Sequence, residues 1–231
     1  MNNPLTKRLK TLYAELKGGG TFADVGCDHG YIAEKALENG LFDEVIISDI
    51  SEKCLKKAES RLSLRFGGRF TAIVSDGFDN LPHVDEALIS GMGGEIISAM
   101  LARREDKPSR LVLQPMKNAE KVRRFLVEND YFITRDYTFK DKKYYHVVVA
   151  EKPNEKPADK TDGKPEKTDK KDEYSADEYL FGRDNLREKS DDFRDFVNDK
   201  IKLFSEAAAN AESPEKEELQ KKTEKLRKII E

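Results

Sequence analysis

The sequence predicts an α/β fold: a mainly parallel sheet with helices on both faces, followed by a C-terminal antiparallel helical hairpin. Three observations predict it. Short apolar runs alternate with helical periodicity between residues 21 and 128, the pattern of successive βα units. The runs are nearly continuous in apolar residues, as expected where both sheet faces are covered. Beyond residue 174 the periodicity is helical alone, with an apolar stripe on each of two segments.

The elements follow in order. Residues 4–17 read as a helix, with Asn3 as cap and Pro4 in the first turn. Leu5, Leu9, Leu12 and Leu16 share one face, and Gly18-Gly19-Gly20 ends it. Strands are expected at 21–25, 44–48, 70–74, 86–90 and 110–114, with helices at 30–39, 51–65, 94–104 and 117–128. Asn39-Gly40 is a stop signal and Ser51 a cap. Strands 131–138 and 144–150, joined by Lys140-Asp141-Lys142-Lys143, read as a β-hairpin that closes the sheet. Residues 186–211 read as a helix with Phe193, Phe196, Val197, Ile201, Phe204 and Ala208 on one stripe. Ser213-Pro214-Glu215 opens a second by the cap-then-proline rule, with Leu219, Thr223, Leu226 and Ile230 facing inward. The narrow seam and charged flanks resemble a coiled coil, which needs a docking surface or a second copy; a monomer is favoured.

The chain therefore divides at 1–150, 151–173 and 174–231. The middle segment is almost entirely charged or turn-forming and reads as a flexible linker. Of the 231 residues 38% are charged and 37% hydrophobic, and the net charge is −3. That balance does not advertise nucleic-acid binding, although a local basic face is enough for it. No apolar run approaches a membrane span, and no signal-peptide pattern opens the chain. Cys27 and Cys54 suggest no disulfide framework. The expected compartment is the cytoplasm. No His/Cys spacing suggests a metal.

The most informative stretch is Asp24-Val25-Gly26-Cys27-Asp28-His29-Gly30-Tyr31, between the first strand and its helix. Its G-x-x-x-G spacing is not the G-x-G-x-x-G of a dinucleotide site, and its carboxylates would repel a pyrophosphate. They suit a ligand with positive charge and hydroxyls, such as S-adenosylmethionine. Asp24, Gly26 and Asp28 would surround its amino-acid end. Asp49, followed by Ile50 at the end of the second strand, would accept the ribose hydroxyls. Asp76 and Gly77, after the third strand and set beside the first turn, would take the adenine, with Phe78 near the ring. Gly91-Met92-Gly93-Gly94 ends the fourth strand, where a flat base can approach the backbone. Gln114 and Pro115 border the same cleft. His29 lies inside the acidic turn; His83 and His146 read as structural. Three basic clusters, Arg61/Arg65/Arg69, Arg103/Arg104/Lys107 and Lys140/Lys142/Lys143, would contact phosphates only if grouped around one cleft.

Five βα units closed by an antiparallel hairpin are the Rossmann-like layout of a class I methyltransferase. The motifs at 24–31, 48–50, 75–77, 91–94 and 114–115 together resemble the bacterial tRNA adenine-22 N1-methyltransferases, the TrmK family, and the likeness extends into the C-terminal hairpin. That resemblance implies methyl transfer from S-adenosylmethionine to N1 of an adenine in tRNA, with the hairpin helping to hold the tRNA. It also implies that Asp24, Gly26, Asp28 and His29 line the methionine end. Asp49 would serve the ribose, and Asp76 and Gly77 the cofactor adenine. Gly91 to Gly94 would form the substrate edge. Adenine N1 carries a free lone pair, so positioning carries most of the chemistry. A carboxylate holding the N6 amino group would stabilise the developing cation; Asp28 is the first candidate and His29 the second. Two other readings stay open: a methyltransferase of a small molecule, and an RNA-binding module without catalysis.

Overall fold

The computed structural model describes residues 5–153 and 174–231. Asn3, Pro4 and residues 154–173 of the expected linker lie outside the described residues. The first helix, α1 (Lys7–Ala14), is shorter than its apolar stripe suggests. The hydroxyl of Thr6 caps it by accepting from the Leu9 N–H. Five βα-type strands follow: β1 (Thr21–Val25), β2 (Glu44–Asp49), β3 (Thr71–Val74), β4 (Glu86–Met92) and β5 (Arg110–Pro115). Helices α2 (Tyr31–Asn39), α3 (Glu52–Phe66), α4 (Gly94–Arg103) and α5 (Ala119–Glu128) lie between or after them. Gly40 ends α2 in the left-handed region and Ser51 caps α3, as the sequence predicts. Strands β6 (Phe132–Asp141) and β7 (Lys143–Glu151) form the closing hairpin. The expected connecting tetrapeptide is mostly strand. Asp141 pairs with Lys143, and the reversal falls on Lys142 at φ 64°.

The seven strands run in the order β3-β2-β1-β4-β5-β7-β6, with only the pairs made by β7 antiparallel. One expectation needs correction: β2 separates β3 from β1, so the loop after β3 is not next to the first turn in the sheet order and reaches the cavity at that turn from beyond β2. The chain steps outward from β1 to β3 and then returns to β4 on the other side. The carboxyl ends of β1 and β4 thus flank the topological switch point, where open α/β sheets bind ligands. One apolar layer joins α1, α2 and α3 to the sheet through Leu12, Ile32, Leu62, Phe22 and Ile47. The other joins α4 and α5 through Ile97, Leu101, Val122, Leu126 and Ile89. Alternation along β2, with Ile46 in one layer and Ile47 in the other, follows from the period of two. Among the described residues no helix is long and apolar enough to cross a membrane.

The C-terminal region departs from the expected two helices. Two short helices precede them, α6 (Ala176–Phe181), opened by a Ser175/Glu178 capping box, and α7 (Arg183–Glu188). The expected helix from 186 breaks at Lys189, φ 44°, and restarts as α8 (Asp191–Asn210) under the Ser190 cap. In α9 (Glu215–Ile230) Pro214 occupies the cap position, and the Ser213 side chain makes no cap bond to the backbone. The apolar stripes meet as expected: Phe193, Val197 and Leu226 are buried together with Phe181.

The hairpin docks on its own sheet. β6 is an edge strand, and unpaired N–H groups on an edge invite foreign strands. The N–H groups of Asp136, Thr138 and Lys140 donate instead to the side chains of Asp184, Asn185 and Asp192 at 2.9, 2.9 and 3.0 Å. Asn185 is buried and also donates to Thr138 Oγ1 and the Phe181 carbonyl.

Candidate functional site

A cavity of about 530 Å³ opens at the carboxyl ends of β1, β2 and β4, within the size range of small-molecule sites. The turn after β1 is shaped by three left-handed residues: Gly26 (φ 71°), Asp28 (φ 50°) and Gly30 (φ 63°). Its Gly26 and Cys27 N–H groups donate to the Ser48 carbonyl at 2.8 and 2.9 Å, tying the turn to the end of β2. A Cβ on Gly26 would come within 2.2 Å of the Met92 methyl, so glycine lets the end of β4 close against the turn. Asp28 tolerates its conformation better than a bulkier residue would.

Three carboxylates border this cavity. Asp24 is 6% exposed, and burial pushes its pKa up to about 7; an N–H from Ala33 opposes the shift and the Asp49 charge adds to it. Asp49 is held by two backbone donors, Ser51 N–H at 2.8 Å and Asp28 N–H at 3.3 Å. Each of its oxygens keeps acceptor capacity for a hydroxyl. Asp28 stands at the mouth, its Oδ1 3.7 Å from His29 Nε2, with both side chains open to solvent. The His29 ring lies 5.6 Å from that of Tyr31, which carries the Arg61 guanidinium on its face at 4.1 Å. Ile50, 69% exposed, adds an apolar surface to the rim. Cys27 also borders the cavity, but burial and the nearby carboxylates push its thiol far up, away from thiolate chemistry.

The structure brings Asp24, Gly26, Asp28, His29, Asp49, Ile50, Gly77, Gly91 and Met92 to one cavity. Five other expected residues stand outside its lining. Asp76 turns its carboxylate to Arg103, 3.2 Å away, while its neighbours Ser75 and Gly77 face inward. Gly93 caps α4, and Gly94 begins it. A Cβ on Gly94 would meet the Asn118 carbonyl oxygen at 2.1 Å, so this glycine serves helix packing. Gln114 and Pro115 are buried in β5. The motif at 91–94 is thus no single loop: Gly91 and Met92 belong to β4, with a register irregularity between Ser90 and Met92. Phe78 does not line the cavity either. It is 2% exposed in the α4 layer, under the Arg104 guanidinium.

Sequence reasoning missed Arg8. It lies on the polar face of α1, which reads as solvated until the helix is laid across the sheet. Arg8 Nε donates to Gln114 Oε1 at 2.8 Å, and a terminal nitrogen reaches Ser90 Oγ at 3.3 Å. Its backbone N–H donates to Asp141. Gln114 is therefore the buried anchor of a guanidinium that borders the cavity beside Gly91. The anticipated basic clusters do not share one cleft. Arg61 and Arg65 pair with Glu34, Arg103 with Asp76 and Asp79, and Arg104 binds the carbonyls of Phe78, Leu81 and Pro82. His83 bridges Asp85 and Asp106 at the surface, and His146 meets Thr138 Oγ1 at 2.9 Å.

The arrangement accommodates an S-adenosyl ligand. Three carboxylates against one guanidinium favour a cation, and the fixed pair of oxygens on Asp49 suits a diol. Comparisons with known proteins agree with the geometry. A family model described as a methyltransferase domain matches residues 5–149. A relative in Mycoplasma pneumoniae, provisionally named a tRNA methyltransferase, is 35% identical over 133 residues, 56% of this chain and 62% of that one. The tRNA (adenine(22)-N(1))-methyltransferase of Bacillus subtilis is 29% identical over 154 residues, 64% of this chain and 65% of that one. The chain thus spans less than two thirds of the length of the curated relatives it matches. The solved structure of M. capricolum TrmK with S-adenosyl-homocysteine superposes with a TM-score of 0.82 at 21% identity, covering 99% of this chain and 98% of that one.

Proposed function

The chain belongs to the methyltransferase domain family, and on that premise we propose that it transfers a methyl group from S-adenosylmethionine to N1 of adenine-22 in bacterial tRNA. The observation that carries the reading is the carboxylate-lined cavity at the switch point, with Gly91 and Met92 in its lining. The relatives' names supply the tRNA and the position on it.

S-adenosylmethionine would supply an electrophilic methyl on a sulfonium. In this reading Asp24 and Asp28 offset the charge of its amino-acid end, and Asp49 accepts from the ribose hydroxyls. Gly77 and Ile50 flank the adenine, as the exposed apolar surface of Ile50 allows. Asp76 would have to leave Arg103 to reach the adenine amino group. The target base enters past Gly91 and Met92, where Arg8 orients it or its phosphate. Gly93, Gly94, Gln114 and Pro115 hold that edge from behind rather than touch the base. Adenine N1 needs no deprotonation. The protein's work is to unstack the base, align N1 with the methyl and accommodate a cationic product. Asp28, at the mouth and beside His29, accepts from the N6 amino group and stabilises that cation. The cytoplasm, where tRNA is modified, is the compartment this activity requires.

Incubation of the protein with S-adenosylmethionine and unmodified tRNA should yield 1-methyladenosine, read by nucleoside mass spectrometry and placed at position 22. Its absence would defeat the reading. Asp28→Ala should lower kcat by about 100-fold, the usual loss when one charge-stabilising group is removed, in a protein that is still folded. Near-normal turnover would remove Asp28 from the mechanism and leave His29 as the next group to replace.

A further inference from the structure

A second cavity lies next to the first. It encloses about 620 Å³ between the segment 116–120, β7 and helices α6, α8 and α9. The two are neighbours across the ends of β4 and β5. Met92 borders the first and Met116 the second, and the Met116 N–H donates to the Met92 carbonyl at 2.8 Å.

Its wall is aromatic. Tyr144, Phe196 and Phe204 face it from the sheet and from α8. Tyr144 meets Phe196 edge to face with centroids 5.5 Å apart, and His146 does the same at 5.0 Å. Burial pushes the His146 pKa down to about 3, so the ring is neutral and the inner wall uncharged at pH 7. The rim is cationic: Lys117, Lys200, Lys222 and Lys225 stand against one lining carboxylate, Glu120. The Lys200 ammonium lies 4.9 Å over the Phe196 ring. Lys222 pairs with Glu218 at 2.6 Å, and Lys225 pairs with Asp177. These are exposed pairs of the kind that exchange cheaply for a phosphate.

Rings within and ammonium groups at the rim match the two halves of a nucleotide, a base that stacks and a phosphate that is anionic. An apolar peptide would offer no anion to Lys117 and Lys200, and an acidic one would leave the rings uncovered. We propose that this cavity holds a second, unstacked nucleotide of the RNA whose adenine enters the first cavity. The inference rests on the tRNA reading above. Seating a nearby base in an aromatic slot would offset part of the cost of unstacking the target, and it gives the docked hairpin a direct share in substrate binding.

The test uses the full chain and tRNA transcripts carrying 4-thiouridine or, in a second set, 6-thioguanosine. After irradiation, crosslinked peptides are mapped by mass spectrometry. Crosslinks are expected on the peptides containing Tyr144, Phe196 or Phe204. A Lys117→Glu/Lys222→Glu double variant, altered only at exposed positions, should weaken transcript binding about tenfold at physiological salt, with the Kd for S-adenosylmethionine unchanged. Crosslinks confined to other surfaces, or transcript affinity within twofold of the parent, would overturn the proposal and point to a protein occupant. A chain that binds transcript without methylating it defeats the activity assigned above, while the crosslinks still decide the cavity. A chain that binds no transcript defeats both.

Discussion

Replacing Arg123 by alanine should destabilise the protein by about 3–5 kcal/mol, the usual consequence of leaving one member of a buried ion pair unpartnered. Arg123 is fully buried, and it donates to both oxygens of Asp136, also buried, at 2.6 and 2.8 Å. Its other terminal nitrogen donates to the carbonyls of Tyr179 and Leu180 at 3.0 and 3.2 Å. One guanidinium thus joins α5, β6 and α6, and it satisfies the last carbonyls of α6. Alanine would strand the buried Asp136 carboxylate beside Asp184 and free the base of the hairpin. Arg123→Lys should recover only part of the loss, because an ammonium cannot reproduce the planar fork. Replacing both partners by apolar residues of similar size should cost less than Arg123→Ala alone. Urea denaturation of the three variants checks this. A loss below about 1 kcal/mol for Arg123→Ala would show that the junction does not depend on the pair.

The affinity for S-adenosylmethionine should weaken about tenfold for each pH unit below 7, and Asp24→Asn should remove that dependence. In the unliganded fold the Asp24 pKa stands near 7, above its ordinary 3.8, because burial disfavours the charged form. The folded chain therefore binds a proton between these values that the unfolded chain does not. This contribution to stability is complete below about pH 4 and is lost as the pH rises through about 7. A cationic ligand selects the ionised carboxylate, so its binding runs the opposite way and strengthens as the pH rises towards 7. Calorimetric titrations from pH 5.5 to 8.5 on parent and variant would separate this effect from titration of the ligand, which both proteins share. Parent affinity that stays flat between pH 6 and 8 would show that Asp24 is not the group facing the cation.

Much of the site is legible in the chain because it is made of local turn chemistry. Gly26, Asp28 and Gly30 take left-handed conformations at the positions where glycine and aspartate stand in the sequence. Asp49 falls at the end of β2 because the apolar run before it ends there. Other features needed contacts from far along the chain. Arg8 acquires a place at the cavity only through Ser90 and Gln114, 82 and 106 residues away. Phe78 turns into the core because the loop after β3 folds back under Arg104. The short helices α6 and α7 have six residues each, too few to show a period, and caps and burial define them instead.

By itself the sequence determined the alternating architecture, the apolar stripes of the hairpin and the acidic strand ends, which exclude a pyrophosphate and suit a cationic ligand with a diol. Each depends on residue types within a few positions of one another. The tertiary structure alone decided that β2 stands between β1 and β3, that Gly94 and Gln114 support the site rather than line it, and that the hairpin seals the edge of β6 through Asp184, Asn185 and Asp192. The reason is burial. A side chain's role there depends on which distant backbone donor or carboxylate is desolvated beside it, and no local pattern encodes that neighbour.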